Sequence, residues 1–247
     1  SMTFLIFPVI GLGIYLLTAG HIHDDLRLGY FYLCALPSAI SSSVAMTAAA
    51  RGNVPAAVFN ASLSSVIGVF ITPLWIGLLL KTGGKTLPLG EVILDLVQWL
   101  ILPLVVGQLC RPWLADFVHR HKKGVHVVDR LTILMLVYTS FCESMKQGVW
   151  SGQGPLTVIL TIVASAGLFG LVMWINGLIA DRMKLPLEDR ITGIFCGSKK
   201  SLATGVPMAQ VMFAGHPGVA LILLPIMVYH TVQLIICGWL AGRWAER

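Results

Sequence analysis

The stretch of sequence that decides the fold lies at residues 195–207 and reads FCGSKKSLATGVP. It falls within an apolar segment over 190–213 that is long enough to cross a membrane. Lys199 and Lys200 place two ammonium groups near the middle of that segment, where a charge needs a partner or water. Snorkelling of both lysines to the membrane surface is disfavoured, because adjacent helical side chains point about 100° apart. We therefore predict a helix interrupted at membrane depth, where irregular backbone must be buried in protein or line a wet cavity.

A second stretch of the same kind, LPSAISSSVAMT, occupies residues 36–47. Its proline removes a backbone donor and disfavours helix at the preceding residue, and the serines that follow can bond the freed backbone groups. Two interrupted helices in corresponding positions are typical of a transporter site, whereas a kinked helix packed through small residues is the alternative. We expect the interruptions to cross at Ser41–Val44 and Gly197–Ser201. The predicted substrate- or ion-binding residues are Ser41, Ser42, Ser43, Gly197, Ser198, Lys199, Lys200 and Ser201.

The composition indicates that lipid surrounds most of the molecule. Hydrophobic residues make up 56% of the 247 residues and charged residues 11%, with a mean hydropathy of +0.84. Soluble domains carry about 25% charged residues, so a cytosolic enzyme, a disordered chain and a disulfide scaffold are excluded. Eight segments are apolar and long enough to span a bilayer, which predicts an all-α polytopic membrane protein. These segments are 3–18, 30–50, 55–80, 88–110, 131–148, 155–180, 190–213 and 218–242.

The basic residues are divided unevenly between alternate loops, and this sets the expected orientation. The net charge is +6. Most loop lysines and arginines fall at 51, at 111–130, at 182–190 and at the C-terminus, whereas the opposite loops hold Arg27, Lys81, Lys85 and Lys146. Because cytoplasmic loops carry an excess of lysine and arginine, we expect the connector at 112–130 and both ends of the chain to be cytoplasmic. The basic run at 119–123 is interpreted as part of this connector rather than as a nucleic-acid site. The expected location is a bacterial inner membrane.

Two further ionisable residues lie inside predicted spans. Glu143, in the fifth span, is interpreted as a charge partner for the lysines or as a carboxylate near the outer end of that span. His230 lies in the middle of the last span, where it forms either an interhelical hydrogen bond or a proton relay. The five cysteines lack metal-ligand spacing and are interpreted as thiols buried in apolar runs. We expect no metal centre and no cofactor.

Three stretches resemble the bile acid:sodium symporter family (solute carrier family 10), in particular the branch of its seventh human member and bacterial relatives. They are residues 195–203, the turn at 50–54 and residues 138–143. The resemblance covers nearly the whole chain, and it implies ten helices in two inverted five-helix repeats. The eight spans match the third to the tenth helix of the family, so we expect the first two to be absent. The resemblance further implies a panel formed by residues 1–29 and 88–189, and a core with the crossing formed by residues 30–87 and 190–247.

The sodium ligands of the family are only partly retained at the matching positions. Ser43 keeps a serine ligand, whereas side chains that do not ligate sodium stand at Val44, Ala57, Ala61, Phe195 and Lys199. Sodium needs about five or six hard oxygen ligands, and the Lys199 ammonium would repel it. We expect Lys199 or Lys200 to act as a fixed cation in place of sodium. Such a lysine either exchanges protons or stays charged and attracts an anion.

The resemblance implies a secondary active transporter of a small or amphipathic organic anion, either proton-coupled or a uniporter, with H⁺ or Na⁺ as the candidate coupling ion. A channel and a regulatory membrane protein that affects ion homeostasis are the alternatives. An enzyme is disfavoured, because Ser198 and Ser201 lack the SxxK spacing to the lysines and no HExxH, GxSxG or Walker motif occurs. The sequence selects neither the substrate nor an oligomeric state.

Overall fold

The protein is built from α-helices. A computed structural model describes residues 2–82, 89–121 and 154–246, together with single residues and pairs between 124 and 146. None of the residues so described forms a strand. Among the described residues, two π-helical segments are delimited, Met2–Ile6 before the first α-helix and Val97–Ile101 between the fifth and the sixth. The α-helices whose bounds are described are α1 (Phe7–Leu17), α2 (Asp24–Ala35), α3 (Ile40–Ala49), α4 (Val54–Thr82), α5 (Leu89–Leu96), α6 (Leu102–Leu109), α7 (Arg111–Arg120), α8 (Pro155–Arg182), α9 (Leu187–Ser198), α10 (Leu202–Met212) and α11 (Val219–Ala245).

Three of these helices are long and apolar enough to cross a bilayer. They are α4, α8 and α11, with mean hydropathies of 2.1, 2.4 and 2.2. α2 and α3 qualify together as one span that is bent by 57°. The predicted all-α polytopic membrane protein is thereby confirmed. The count of eight spans and the inverted repeat stay predictions, since half of the span expected at 131–148 lies outside the described residues.

Two predicted boundaries differ from the structure. α2 begins at Asp24 rather than at residue 30, so Arg27 lies in a helix instead of a loop. Its buried guanidinium is tolerated because it donates twice to the Tyr15 carbonyl, at 2.8 and 3.2 Å, and once to the Asp24 carboxylate at 2.6 Å. The connector expected at 112–130 is also not wholly a loop, because α7 occupies its first part.

The first interruption lies at residues 36–39, and the predicted crossing at Ser41–Val44 was wrong by about one helical turn. Leu36 is extended, with φ −66° and ψ 153°, because Pro37 disfavours helical backbone at the residue before it. Ala39 is also extended, and α3 begins at Ile40. The serines at 41–43 therefore lie in the first turn of α3 rather than in the break itself.

The second interruption lies at residues 199–201, within the stretch that the sequence singled out. Lys199 and Ser201 are both extended, with ψ angles of 144° and 110°. The Ser201 hydroxyl accepts a hydrogen bond from the Thr204 amide at 3.2 Å and so caps the start of α10. The predicted interruption of the helix within this stretch is therefore confirmed, whereas its crossing of the membrane stays a prediction.

Close helix packing fixes the distances around the two breaks. α2 packs between α1 and α11, and residues 26–35 are all buried. A Cβ atom on Gly29 would lie only 2.6 Å from the Ile222 carbonyl oxygen of α11. A Cβ atom on Gly68 of α4 would lie 2.7 Å from the Pro37 ring. Small residues thus let the neighbouring helices approach the interrupted spans, as is common inside membranes.

A second junction joins the two interrupted spans at their other end. The Asn53 amide donates to the Glu188 carbonyl at 3.2 Å, and its side chain donates to the Asp189 carboxylate at 2.8 Å. The Thr192 hydroxyl donates back to the Asn53 carbonyl at 3.1 Å. The turn between α3 and α4 is therefore bonded to the first turn of α9.

Replacing Gly29 by alanine tests the close approach of α2 and α11. We expect Gly29→Ala to lower the free energy of unfolding by about 1–3 kcal/mol, because the added methyl meets backbone that cannot move aside. Gly13→Ala is the matched control, since nothing lies within 4 Å of a Cβ atom there. Chemical unfolding in detergent micelles measures both, and equal stability of the two variants would contradict the packing described.

Candidate functional site

The two interruptions lie against each other and satisfy each other's backbone. The Ser201 amide donates to the Pro37 carbonyl at 3.1 Å, and the Ser38 hydroxyl donates to the Cys196 carbonyl at 2.7 Å. The Ser38 amide donates to the Ser64 hydroxyl of α4 at 3.0 Å. In lipid each unpaired backbone group costs several kcal/mol, so these bonds are what permits the two breaks.

The Lys200 ammonium fills the carbonyl end of α2. Its Nζ donates to the carbonyl oxygens of Leu36 at 2.6 Å, Cys34 at 2.8 Å and Thr3 at 3.3 Å. It also lies 4.0 Å from the centre of the Phe7 ring, in a cation–π contact. The last carbonyls of a helix carry partial negative charge, so this position favours a cation. Each of the three N–H donors of the ammonium has an acceptor.

The Lys199 ammonium is buried as well, but it has fewer partners. Its Nζ donates to the Ser42 carbonyl at 2.7 Å and lies 5.8 Å from the centre of the Phe195 ring. Ser42 is the one acceptor that Nζ has within the described parts of the chain. Because an ammonium carries three donors, two of them are left without an acceptor there. The two neighbouring lysines are therefore bonded very differently.

Buried hydroxyl groups lie along α3, the helix that provides the acceptor for Lys199. The side-chain oxygens of Ser42, Ser43 and Thr47 are buried and have no hydrogen-bond partner among the residues that the structure describes. Buried polar atoms are normally bonded, so each such atom in a native structure needs an explanation. Together with Lys199, the Ser42 and Ser43 hydroxyls offer unused hydrogen-bonding capacity beside the crossing, whereas Thr47 lies next to Gly52 at the other end of α3.

α11 holds the unwound backbone through two side chains one helical turn apart. The Tyr229 hydroxyl donates to the Ser198 carbonyl at 2.6 Å. The Gln233 side chain bonds both backbone groups of Lys200, accepting from its amide at 2.9 Å and donating to its carbonyl at 2.9 Å. A second tyrosine bond reaches the other side of the break, because the Tyr32 hydroxyl of α2 donates to the Gly205 carbonyl at 2.6 Å.

The structure brings most of the predicted site residues to the crossing. Ser42 and Ser43 lie beside it on α3, and Gly197 packs so closely on the Asn176 side chain of α8 that a Cβ atom would lie 2.6 Å from its oxygen. The Ser198 hydroxyl only bonds the Ile194 carbonyl of its own helix, at 2.6 Å. Ser41 is exposed and does not reach the break.

The two proposed ionisable partners fare differently. Glu143 lies outside the described residues, so its role as a charge partner stays a prediction. His230 is partly buried, and its Nδ1 lies 2.8 Å from Gln233 Nε2. The hydrogen bond expected for His230 therefore exists, although it joins residues of one helix rather than of two.

Three side chains that hold the crossing together were not predicted from the sequence. The hydroxyls of Ser38, Tyr32 and Tyr229 donate to carbonyls in the helices on either side of the second interruption. The polar spacing of Tyr229 and Gln233, four residues apart on one helix face, was the signal that pointed to a shared target. Nothing local in the sequence marks the Thr3 carbonyl or the Phe7 ring as partners of Lys200.

Three of the positions that the resemblance matches to sodium ligands hold buried apolar side chains. Ala57, Ala61 and Phe195 are fully buried, and the Lys199 Nζ lies 5.8 Å from the centre of the Phe195 ring. Among the described residues, no three or more His, Cys, Asp or Glu side chains are grouped so that they could hold a metal ion. All five cysteines are free thiols, and Cys34, Cys196 and Cys237 are buried.

A cavity of about 620 Å³ opens at the other end of α2. Tyr15, Asp25, Arg27, Leu79 and His216 are among the residues that line it. From Asp25 to Leu36 is about three turns of helix, or roughly 16 Å, so the cavity does not include the lysines. The crossing itself is closely packed.

Comparisons with known proteins match the chain along its whole length. A family model described as the SBF-like CPA transporter family matches residues 1–246. The protein PA2026 of Pseudomonas aeruginosa is 42% identical over 247 residues, which cover 100% of this chain and 74% of the relative. The Escherichia coli protein named "Putative symporter YfeH" is 39% identical, over 99% of this chain and 73% of the relative. Sodium/bile acid cotransporter 7 of Rattus norvegicus is 31% identical, over 95% of this chain and 69% of the relative.

Replacing Tyr229 by phenylalanine tests the bond to the unwound backbone. We expect Tyr229→Phe to lower the free energy of unfolding by about 1–3 kcal/mol, because the buried Ser198 carbonyl loses its donor. Tyr15→Phe is the control, since the Tyr15 hydroxyl has no hydrogen bond within the described part of the chain and the ring beneath Arg27 is kept. Chemical unfolding in detergent measures the difference, and an unchanged Tyr229→Phe variant would argue against this bond.

Proposed function

This chain belongs to the SBF-like CPA transporter family, and on that premise we propose that it moves a small or amphipathic organic anion across the membrane by alternating access. The resemblance to bile acid:sodium symporters noted in the sequence is confirmed by the matched relatives, and the chain is an integral membrane transporter. The printed name of the rat relative, a sodium/bile acid cotransporter, supports an organic anion as the substrate class.

One observation carries the proposal for how the transporter works. The Lys200 ammonium is bonded to three backbone carbonyl oxygens at the break of α2, an arrangement of hard oxygens of the kind that otherwise coordinates an inorganic cation. We propose that Lys200 is a tethered cation that stabilises the crossing in place of sodium. Because its donors are all used, Lys200 has a structural role and does not bind the substrate.

Lys199 is proposed as the exchangeable group of the site. It is bonded to one carbonyl, and the neighbouring helix α3 carries three buried hydroxyls without described partners. Its remaining donors are available to an anionic group of the substrate, or the ammonium releases a proton during the cycle. Both proton-coupled transport and uniport are compatible with this arrangement, and the substrate- or ion-binding residues on α3 are Ser42 and Ser43.

The bonds at the crossing suggest which helices move together. Hydrogen bonds at the two breaks, together with those of Ser64, Tyr229 and Gln233, link six helices: α2, α3, α4, α9, α10 and α11. We propose that these helices form the core and that α5–α8 belong to the panel. The first segment, expected in the panel, is better assigned to the core, because the Thr3 carbonyl and the Phe7 ring contact the Lys200 ammonium and Arg27 of α2 bonds the Tyr15 carbonyl. The Tyr30–Thr161 hydrogen bond of 3.2 Å, between α2 and α8, would then break or shift during transport.

Uptake measurements with lysine variants test this division of roles. In proteoliposomes given a set of labelled carboxylate and sulfonate anions that includes a bile acid, we expect Lys199→Gln to lower the initial uptake rate about tenfold or more, because a charge-assisted contact is lost. An inward sodium gradient should not accelerate wild-type uptake. Lys200→Gln should instead lower the thermal stability of the purified protein, because it leaves buried carbonyls unpaired.

The matched control is Lys184→Gln, which removes an exposed lysine in the turn after α8. It should leave uptake and stability unchanged. Sodium-driven uptake that is unaffected by Lys199→Gln would rule out the proposed replacement of sodium.

The orientation is a proposal that rests on the charge distribution. We propose that the turn after α8 and the C-terminus face the cytoplasm of a bacterial cell, with the turn before α11 on the opposite side. In intact bacterial cells, a membrane-impermeant maleimide should label the Gly215→Cys variant and should not label the Lys184→Cys variant. Labelling of the wild-type protein, which has five cysteines, gives the background for both. The reverse labelling would overturn the orientation.

A further inference from the structure

The backbone of Lys200 fixes the orientation of the Gln233 amide. The Lys200 N–H can only donate and its carbonyl can only accept, and both lie 2.9 Å from the Gln233 side chain. Oε1 must therefore face the N–H, and Nε2 must face the carbonyl. Gln233 is completely buried, so solvent offers neither group an alternative partner.

The orientation of this amide in turn fixes the state of His230. The second hydrogen of Gln233 Nε2 points to His230 Nδ1, at 2.8 Å. Nδ1 must accept that hydrogen, so it carries no proton, and the neutral imidazole holds its proton on Nε2. The unwound backbone of Lys200 thus fixes the orientation of the Gln233 amide, and that orientation fixes the protonation state of His230.

We infer that Gln233 and His230 form a protonation-sensitive latch on the unwound backbone of Lys200. When a proton from solvent binds the lone pair of Nδ1, that atom becomes a donor that faces the donor Nε2 of Gln233. The amide then turns, so that Oε1 accepts from the imidazolium in a charge-assisted bond. In this orientation Gln233 can no longer bond both backbone groups of Lys200, and the crossing loses one of its supports.

The energetic balance is suited to a switch. A charge-assisted hydrogen bond is roughly twice as strong as a neutral one, and the turn exchanges one such bond for two neutral backbone bonds. His230 is partly exposed near the middle of α11, whereas Gln233 and the Lys200 backbone are buried. The switch therefore requires that the exposed edge of His230 faces water rather than lipid. Gln233 acts as a positioning residue that transmits the state of His230 to the break.

The ionisable groups around His230 connect the latch to transport. Lys199 and Lys200 lie on the break that faces His230. Cys34 lies on α2 beside Lys200, and Tyr229 and Cys237 lie on α11 itself. An anion bound at Lys199 would neutralise the nearest positive charge and favour a proton on His230. This step rests on the proposed function, whereas the latch itself does not.

Hydrogen exchange of the full chain in lipid nanodiscs tests the latch without any substrate. After correction for intrinsic exchange, we expect the Lys200 amide of the wild type to exchange about tenfold faster or more on acidification through the imidazole titration, because its acceptor is withdrawn. His230→Gln should remove this pH dependence and keep the amide protected. His216→Gln, which removes a histidine from the turn before α11, is the matched control and should retain it.

A second measurement reports on the imidazole directly and does not depend on the stability of a variant. Nitrogen-15 spectra of the labelled histidines should show neutral His230 with its proton on Nε2 and a hydrogen-bonded Nδ1. The inference is overturned if the neutral form carries its proton on Nδ1, if His230 does not titrate between about pH 5 and 9, or if it titrates while Lys200 exchange stays unchanged.

The results separate the latch from the transport proposal. If the wild-type protein takes up no anion in any condition, while hydrogen exchange of its Lys200 amide still depends on pH, the proposed function alone is overturned. Anion uptake that depends on Lys199, with pH-independent exchange at Lys200, would overturn the latch alone.

Discussion

The rest of the structure depends on one constraint, which is that backbone unwound inside a bilayer must be hydrogen-bonded by protein. The breaks at residues 36–39 and 199–201 free amides and carbonyls where water is scarce. The protein satisfies them by laying one break against the other, by directing tyrosine hydroxyls of α2 and α11 at carbonyls, and by having the Ser64 hydroxyl of α4 accept from the Ser38 amide. The crossing is consequently a closely bonded unit and not a flexible hinge.

A lysine side chain satisfies carbonyl acceptors at the break of α2 that a neutral side chain would leave unpaired. The carbonyl end of α2 presents several acceptors and a partial negative charge at one point, and the Lys200 ammonium supplies three donors and a positive charge there. An inorganic cation would satisfy the same oxygens, but it would dissociate and rebind. A cation fixed to the chain is always present, and under the proposed role of Lys200 the stability of the crossing would not depend on the sodium concentration.

Adjacent lysines with different surroundings allow different roles. Lys200 is saturated by backbone carbonyls and a ring, whereas Lys199 has one described acceptor and lies near unbonded hydroxyls on α3. A structural cation beside an exchangeable one separates the stability of the site from its chemistry. Gln233 links the two functions, because it bonds the backbone between them and contacts a histidine that can change its charge.

The sequence by itself determined the membrane environment, the helical class, both interrupted spans and the importance of the lysine pair, because lipid and proline impose local rules that composition and spacing reveal. It misplaced the first break by a turn and left open which groups each lysine bonds. Only the tertiary structure decided these partners, since Lys200 meets the Leu36 carbonyl across 164 residues of chain and Tyr229 meets Ser198 from another helix. Hydrogen-bond partners so far apart are set by how the helices pack, and no local pattern in the chain encodes that geometry.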